Sequence, residues 1–279
     1  MKSIEIKAPA KINIGLNIVG KRNDGYHNLE TFFYPLNDLY DVLTFEHCDK
    51  FTFTCNTAAL NNHSDNLVVK AKNLLEEFCN RELLVKINLL KNIPTGAGLG
   101  GGSSDAAATL ISLNELFQLN IEYDSLLKLA LKLGSDVPFF LKAKPAVGKS
   151  RGEILTLVDF ELPCHIVIVN PGIHISTKEA FQHILPEPSN IVYENVFNTI
   201  RSFIQNKDLI RNDFENYVFG NYSEIKKLKE MMLENEAVFS LMSGSGSTVF
   251  GLFENDNEAK TFTELIPKNY FTRICSPTT

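Results

Sequence analysis

The chain of 279 residues is 44% hydrophobic and 22% charged, the composition of an ordinary soluble globular protein with enough length for one large or two modest cores. Its formal net charge of −6, with no basic cluster standing out, argues against a nucleic-acid surface. No apolar run approaches the roughly 18 residues of a membrane span, and Met1 leads into Lys-Ser-Ile-Glu-Ile-Lys rather than a signal peptide's apolar segment, so a cytoplasmic protein without membrane contact is expected.

In chain order, Ile4–Ala8 and Ile12–Val19 read as short strands. Lys11 and Asn13, two residues apart in strand-like sequence, fall on one face. In a half-buried strand that lysine is either a solvent-side charge or part of a pocket. Tyr26 and His27 follow Asp24-Gly25 on a tight hairpin turn, where aromatic residues are often unremarkable. Val42–Glu46 and Phe51–Cys55 read as an antiparallel pair, and Asn66–Phe78 as a helix with apolar residues at 67, 68, 71, 74, 75 and 78. Leu83–Leu90 is the strand that enters a glycine-rich loop.

That loop, Pro94-Thr-Gly-Ala-Gly-Leu-Gly-Gly-Gly-Ser-Ser104, is the most informative stretch of the chain. Glycines at 96, 98, 100, 101 and 102 remove the Cβ atoms that would keep backbone N–H groups from converging on an anion. Ser103 and Ser104 sit where a helix seeks its cap, and the run after Asp105 carries Ala106, Leu110, Leu113 and Phe117 on one side, with Ser112, Asn114 and Glu115 turned away. Orphan N–H groups and the positive end of the helix dipole favour a phosphate there. A flexible connector would need no abutting amphipathic helix. Two familiar nucleotide loops do not fit. GxxxxGK[ST] requires lysine where Gly102 stands, and Gly96-x-Gly98-x-x-Gly101 is followed beyond 117 by more helix instead of a strand ending in an acidic ribose ligand.

A second helix, Tyr123–Leu133, ends at Gly134, and Asp136 then precedes the strand-like apolar run Val-Pro-Phe-Phe. A carboxylate in that neighbourhood is costly unless paired or functional, a turn or helix-capping aspartate being the structural alternative. Gly152–Leu157 and His165–Val169 read as strands, punctuated by Pro163 and Pro171-Gly172. After the break at Pro186-Glu-Pro188 come polar amphipathic helices near 190–205 and 222–235, a strand, loop, strand unit at 237–253, a helix near 256–265 and a strand near 270–275. The result is an α+β chain with antiparallel pairing, divided into 1–158 and 159–279. Cysteines 48, 55, 79, 164 and 275 are scattered with no metal-type spacing and read as reduced, mostly buried hydrophobes.

The segment 94–104, together with Ala8-Pro-Ala-Lys-Ile-Asn13 and Met242-Ser-Gly-Ser-Gly-Ser247, resembles the signature of the GHMP kinase superfamily. Pro9–Asn13, Lys21-Arg-Asn-Asp-Gly-Tyr-His27, Asp65-Asn66-Leu67, Leu133-Gly-Ser-Asp-Val-Pro-Phe139 and Gly152-Glu-Ile-Leu155 narrow the resemblance to the branch that acts on a cytidine-diphosphate-linked methylerythritol in the non-mevalonate isoprenoid pathway. The similarity runs from about residue 6 to the end and thins between 185 and 235. It implies an N-terminal mixed domain with antiparallel strands, a ferredoxin-like C-terminal domain, and an active site in the cleft between them. It also implies transfer of the γ-phosphate of ATP, with magnesium, to the 2-hydroxyl of that small-molecule substrate, by a monomer or weak homodimer.

The same resemblance makes Asp136 the catalytic base and Lys11 its orienting partner, with Asn13 in the shared pocket lining. Tyr26 and His27 would hold the cytidine, and Phe181 would supply a second aromatic against the cytosine, core packing being its alternative. On the ATP side it assigns Asn66 and Leu67 to the adenine pocket and Lys91 to the adenine or ribose, unless Lys91 is a solvated strand-end lysine. Pro94, Gly96, Gly98, Leu99, Gly100, Gly101, Gly102, Ser103 and Ser104 form the phosphate loop, with Ser103 or Ser104 the candidate magnesium ligand. Two positions depart from the family pattern. Asp105 stands where close relatives carry Asn, awkward beside a triphosphate unless it faces away or helps bind metal, and Ser243–Ser247 replaces Gly-Thr-Gly-Ala with similar sterics.

Overall fold

The computed structural model describes residues 3–61 and 65–277, so Met1 and Lys2 of the amino-terminal reading lie outside the described residues. Among the described residues no helix is long and apolar enough to cross a membrane. The chain folds into two compact units, the first made of residues up to 10, 39–95 and 100–143, the second of 11–38, 96–99 and 144 onward. Both are mixtures of sheet and helix, an α+β fold.

Strand β1 (Ser3–Lys21) and strand β2 (His27–His47) each contribute residues to both units. The two short strands expected at 4–8 and 12–19 are one continuous β1. Ala8, Ala10, Ile12, Ile14, Leu16 and Ile18 are all buried, so the period of two runs straight past Pro9, whose fixed φ suits extended backbone.

In the first unit, residues 42–47 of β2 pair antiparallel with β4 (Val85–Leu90), which pairs parallel with β3 (Thr52–Cys55). The direct antiparallel pairing expected of 42–46 with 51–55 is therefore corrected. Val85, Ile87 and Leu89 make β4 the most regularly buried of the three, and it takes the position between the other two. Helix α1 (Leu67–Cys79) packs along α2 (Gly101–Leu116), with α3 (Tyr123–Leu133) and the single turn α4 (Val137–Phe140) beside α2. The Val-Pro-Phe-Phe run is thus helical, with Pro138 in the first turn, where its missing N–H costs nothing. Helix α2 starts four residues earlier than its apolar periodicity suggested, because Gly100 at φ +71° serves as its N-cap and neither Ser103 nor Ser104 caps it. It is buried on more than one side, Ser112 included.

In the second unit, residues 29–33 of β2 pair antiparallel with β5 (Ala146–Ser150), and β5 with β6 (Ile154–Leu157). Strand β5 carries no strand signal in sequence because Gly148 interrupts its short apolar start; that glycine is needed since a Cβ there would meet the Phe33 ring at 2.5 Å. A second antiparallel sheet is built from β7 (His165–Asn170), β8 (Phe239–Met242), β9 (Val249–Phe253) and β10 (Phe271–Cys275), in the order β10-β7-β9-β8. Its helices are α5 (Thr177–Gln182), α6 (Tyr193–Val196), α7 (Ile200–Asn206), α8 (Phe214–Asn221), α9 (Ser223–Glu234) and α10 (Asp256–Glu264). The expected helix at 190–205 is broken into α6 and α7, and α8 was not foreseen.

Val167, Val169, Ile225, Leu228, Met232, Phe253 and Phe262 anchor one core of this unit, joined by Leu16 and Ile18 from β1. Around β2 lies an aromatic core in which Phe32 and Phe197 stack with centroids 3.7 Å apart, flanked edge-on by Phe160. Both stacked rings are fully buried, so Phe197→Ala is expected to cost about 3–5 kcal/mol. Urea unfolding monitored by circular dichroism measures this; a loss under about 1 kcal/mol would refute the packing.

Candidate active site

In the first unit, β4 delivers the chain to residues 91–95 and α2 resumes it at Gly101. Lys91 ends up in a buried ionic cluster. Its Nζ donates to Asp41 Oδ2 and, at 3.0 Å, to Asp105 Oδ2, and its side chain is only 5% exposed, which rules out a solvated strand-end lysine. Asp41 Oδ1 also accepts from the N–H groups of Asn92, at 2.6 Å, and Ile93, at 2.9 Å. A Cβ on Gly101 would stand 2.8 Å from Lys91 Nζ, so this cluster lies directly against the first residue of α2. Burial alone would lower the lysine's pKa, but the two carboxylates outweigh it and hold the ammonium above its ordinary range. Burial pushes Asp105 up to about 7, Lys91 opposing and Asp41 reinforcing the shift.

Asp105 therefore faces inward, towards Lys91. Its Oδ1 and the Ser104 hydroxyl are buried with no hydrogen-bond partner among the described residues. Gly102 is exposed, Ser103 half-buried and Ser104 buried, and no side chain caps this 16-residue helix. Its first N–H groups and positive dipole end suit an anion. Leu67 Cδ1 lies 3.5 Å from where a Gly102 Cβ would be, which brings the start of α1 to the start of α2. Asn66 caps α1, its Oδ1 accepting from Val68 N at 2.9 Å while its Nδ2 donates to Leu60 O. Pro94 is half-buried. Asp136 holds the N-cap position of α4 without its side chain capping that turn, so the helix-capping alternative does not account for it.

The second unit gathers the rest of the loop around β1. Lys11 is 3% exposed, and its Nζ donates to Asn13 Oδ1 at 2.5 Å and Gly98 O at 3.0 Å, so the solvent-side alternative is excluded. The shared face expected for Lys11 and Asn13 is present. Lys11 N donates to Leu99 O at 2.9 Å, and Asn13 N to Ser243 Oγ at 3.2 Å, while Ser243 Oγ donates to Gly98 O at 3.0 Å. Gly98, at φ +78°, admits no side chain, because a Cβ would meet Ser243 O at 2.2 Å. Asn13 Nδ2 continues to Thr31 Oγ1, which donates to Gly15 O. His174 Nδ1 lies 3.4 Å from where a Gly96 Cβ would be.

Away from the loop in this unit, His27 and Phe181 stack with centroids 4.9 Å apart at 14°, bringing together two residues 154 apart in sequence that were singled out for the same ligand. Burial, then Lys21, lowers the His27 pKa, which favours a neutral imidazole. Tyr26 is 52% exposed. Sequence reasoning missed several anchors. Asn212 Nδ2 donates to Met242 O at 2.7 Å and Gly244 O at 2.8 Å, and Glu215 Oε1 accepts from Met242 N, so these residues fix the turn that presents Ser243. No local signal marks them, because Arg211, Asp213 and Asn216 make the surrounding stretch just as polar.

Among the described residues no cluster of three or more His, Cys, Asp or Glu could hold a metal. The partnerless Ser104 hydroxyl at the phosphate-seeking helix end is the kind of donor magnesium uses when substrate phosphates supply most of its shell, so the residues fit that ion.

The glycine-rich loop, its anion-seeking helix and the buried lysine are the elements of a phosphate-handling enzyme, and the comparisons agree. The model of the GHMP kinases N terminal domain matches residues 66–144, and that of the GHMP kinases C terminal region matches 194–271. A 4-diphosphocytidyl-2-C-methyl-D-erythritol kinase from Chlorobium phaeobacteroides is 44% identical over 96% of this chain and 96% of its own length, and one from Chloroherpeton thalassium is 43% identical with the same coverage. The crystal structure of a 4-(cytidine 5'-diphospho)-2C-methyl-D-erythritol kinase superposes with a TM-score of 0.84 at 31% identity, covering 99% of this chain and all of that one. A homoserine kinase from Cytophaga hutchinsonii, at 17% identity and TM-score 0.76 over 99% of this chain and 95% of its own, shares the fold. The chain belongs to the GHMP kinases and, within them, to the 4-diphosphocytidyl-2-C-methyl-D-erythritol kinase family. It is an ATP-dependent small-molecule kinase.

The buried Asp105 gives a stability test with a fixed sign. Because its folded pKa is raised above 3.8, its stabilising contribution is complete below about pH 4 and is lost as pH climbs towards 7. Relative to Asp105→Asn, the wild type should lose about 2 kcal/mol between pH 5 and pH 8. Urea unfolding of both proteins without nucleotide or metal checks it, and a pH-independent difference would contradict the shift.

Proposed function

We propose that this enzyme transfers the γ-phosphate of ATP to the 2-hydroxyl of 4-diphosphocytidyl-2-C-methyl-D-erythritol, giving the 2-phosphate and ADP. The observation that carries the substrate assignment is the 44% identity, over 96% of both chains, to a kinase named for that acceptor. The geometry supports the phosphoryl-transfer chemistry. The N–H groups at the start of α2 would hold the phosphates, and Lys11, tied to Gly98 O, would keep a desolvated positive charge beside the loop where charge develops in the transition state. Asp136 would accept the proton as the acceptor oxygen bonds to the γ-phosphorus and the bond to the β-phosphate oxygen breaks.

Magnesium, when bound, would supply charge neutralisation on the phosphates, with Ser103 or Ser104 as its protein ligand. Asn66 and Leu67 would border the adenine. Lys91, with its ammonium committed to Asp41 and Asp105, would serve ATP by bracing α2. Tyr26, His27 and Phe181 would hold the cytidine, the His27–Phe181 stack supporting a common aromatic platform, and Asn13 would line the pocket. A division of the chain at 158/159, a cytoplasmic location and a monomer or weak homodimer belong to the same proposal; the two family matches lie to either side of that division.

ADP release should require the cytidyl acceptor. Parallel assays with that compound, mevalonate, homoserine and no acceptor decide it, and comparable turnover of mevalonate or homoserine would overturn the assignment. Asp136→Asn should lower kcat by about 10²–10⁴-fold while leaving ATP affinity within about three-fold. Isothermal titration with ATP alongside steady-state kinetics measures both, and undiminished turnover would remove Asp136 from the mechanism.

A further inference from the structure

The turn carrying Tyr26 is tied to a second turn, residues 150–153, between β5 and β6. The β2–β5 register pairs Leu29 with Ser150, so the two turns adjoin at one end of the pair. Arg22 links them: its Nη1 donates to Ser150 Oγ at 2.8 Å and to Asn28 Oδ1 at 3.3 Å, while its Nε and Nη2 grip Asp24. Asp24 Oδ1 in turn accepts from Tyr26 N at 3.1 Å. On the other side Glu153 closes the second turn, accepting from Ser150 Oγ at 3.1 Å and Arg151 N at 2.7 Å. Gly152 takes φ +105° to complete it. The outcome is a guanidinium aimed at a ring: Arg151 Cζ stands 4.5 Å from the centroid of Tyr26.

We infer that Arg151 is a positioning residue for the acceptor's pyrimidine base, holding the Tyr26 ring at one face so that the ring is preset to pack on the base. The inference rests on the cytidine-holding role proposed for Tyr26. A ring that is 52% exposed has little protein packing to fix its torsions, and a planar cation over its face supplies that restraint. Side-chain ordering before binding is ordering that binding need not do, so the effect appears in acceptor affinity and leaves the phosphoryl-transfer step alone. The pairing is not readable in the sequence, since Arg151 lies 125 residues beyond Tyr26.

Steady-state kinetics of Arg151→Ala, Arg151→Lys, Tyr26→Ala and the Arg151→Ala/Tyr26→Ala double variant test it, with the cytidyl acceptor and ATP varied separately. Arg151→Ala should raise the acceptor KM by about three- to ten-fold, with kcat and the ATP KM within about two-fold. Arg151→Lys should recover part of the loss, and the double variant should match Tyr26→Ala. If Tyr26→Ala raises the acceptor KM and Arg151→Ala does not, the inference falls while the role of Tyr26 survives. If the two effects multiply in the double variant, Arg151 acts on the acceptor independently of the ring, and positioning is overturned. An unchanged KM in Tyr26→Ala would refute the ring's own role and this inference together.

Discussion

A buried ammonium must be compensated, and in the second unit a connected set of polar groups beside the loop does this for Lys11. The Asn13 side chain and the Gly98 carbonyl accept from it, and each acceptor is held in turn. Asn13 is pinned by Thr31 through its amide and by Ser243 through its backbone, and the Gly98 carbonyl also receives the Ser243 hydroxyl. One charge thereby recruits β1, β2, the glycine loop and the turn after β8. In a low-dielectric setting those partners cannot be dispensed with, because a charge left without them would neutralise or force the surroundings apart.

The first unit solves a similar problem differently. Lys91 is balanced by two carboxylates, and burial, reinforced by the neighbouring Asp41 charge, raises the Asp105 pKa against the pull of Lys91. The cluster sits against Gly101, the helix end at which the proposed phosphate binding would need rigidity. An acid at position 105 that looked misplaced beside a triphosphate is turned inward, and its charge is met by Lys91.

How far the sequence foretold this depends on the range of the interaction. Features written in local pattern were legible: the glycine loop, the helix that follows it, the 67–79 helix, and the Lys11–Asn13 face. Features that need a distant partner were not. Sheet order hid the parallel β3–β4 pair, because adjacency along the chain suggested a different neighbour. Asp41, Asn212 and Thr31 are ordinary polar residues until the fold gives them a lysine, two carbonyls or an asparagine to serve. Gly148 disguised β5 because a residue that makes way for an aromatic ring looks, in a string of letters, like a break. The His27–Phe181 stack was legible only as two separate suspects.

The contact of Gly98 with the Ser243 carbonyl has a consequence for how the protein can change. Ser243 Oγ and Gly98 O are 145 residues apart in sequence and share a hydrogen bond, and the space beside Gly98 is already filled by Ser243's own backbone. No side chain at 98 can be accommodated by adjusting side chains elsewhere, since the obstacle is main chain. A variant at 98 would need the 243–247 turn to be rebuilt at the same time, and a longer or shorter turn would need a reshaped loop. In this chain the two glycine-rich stretches are mutationally one object.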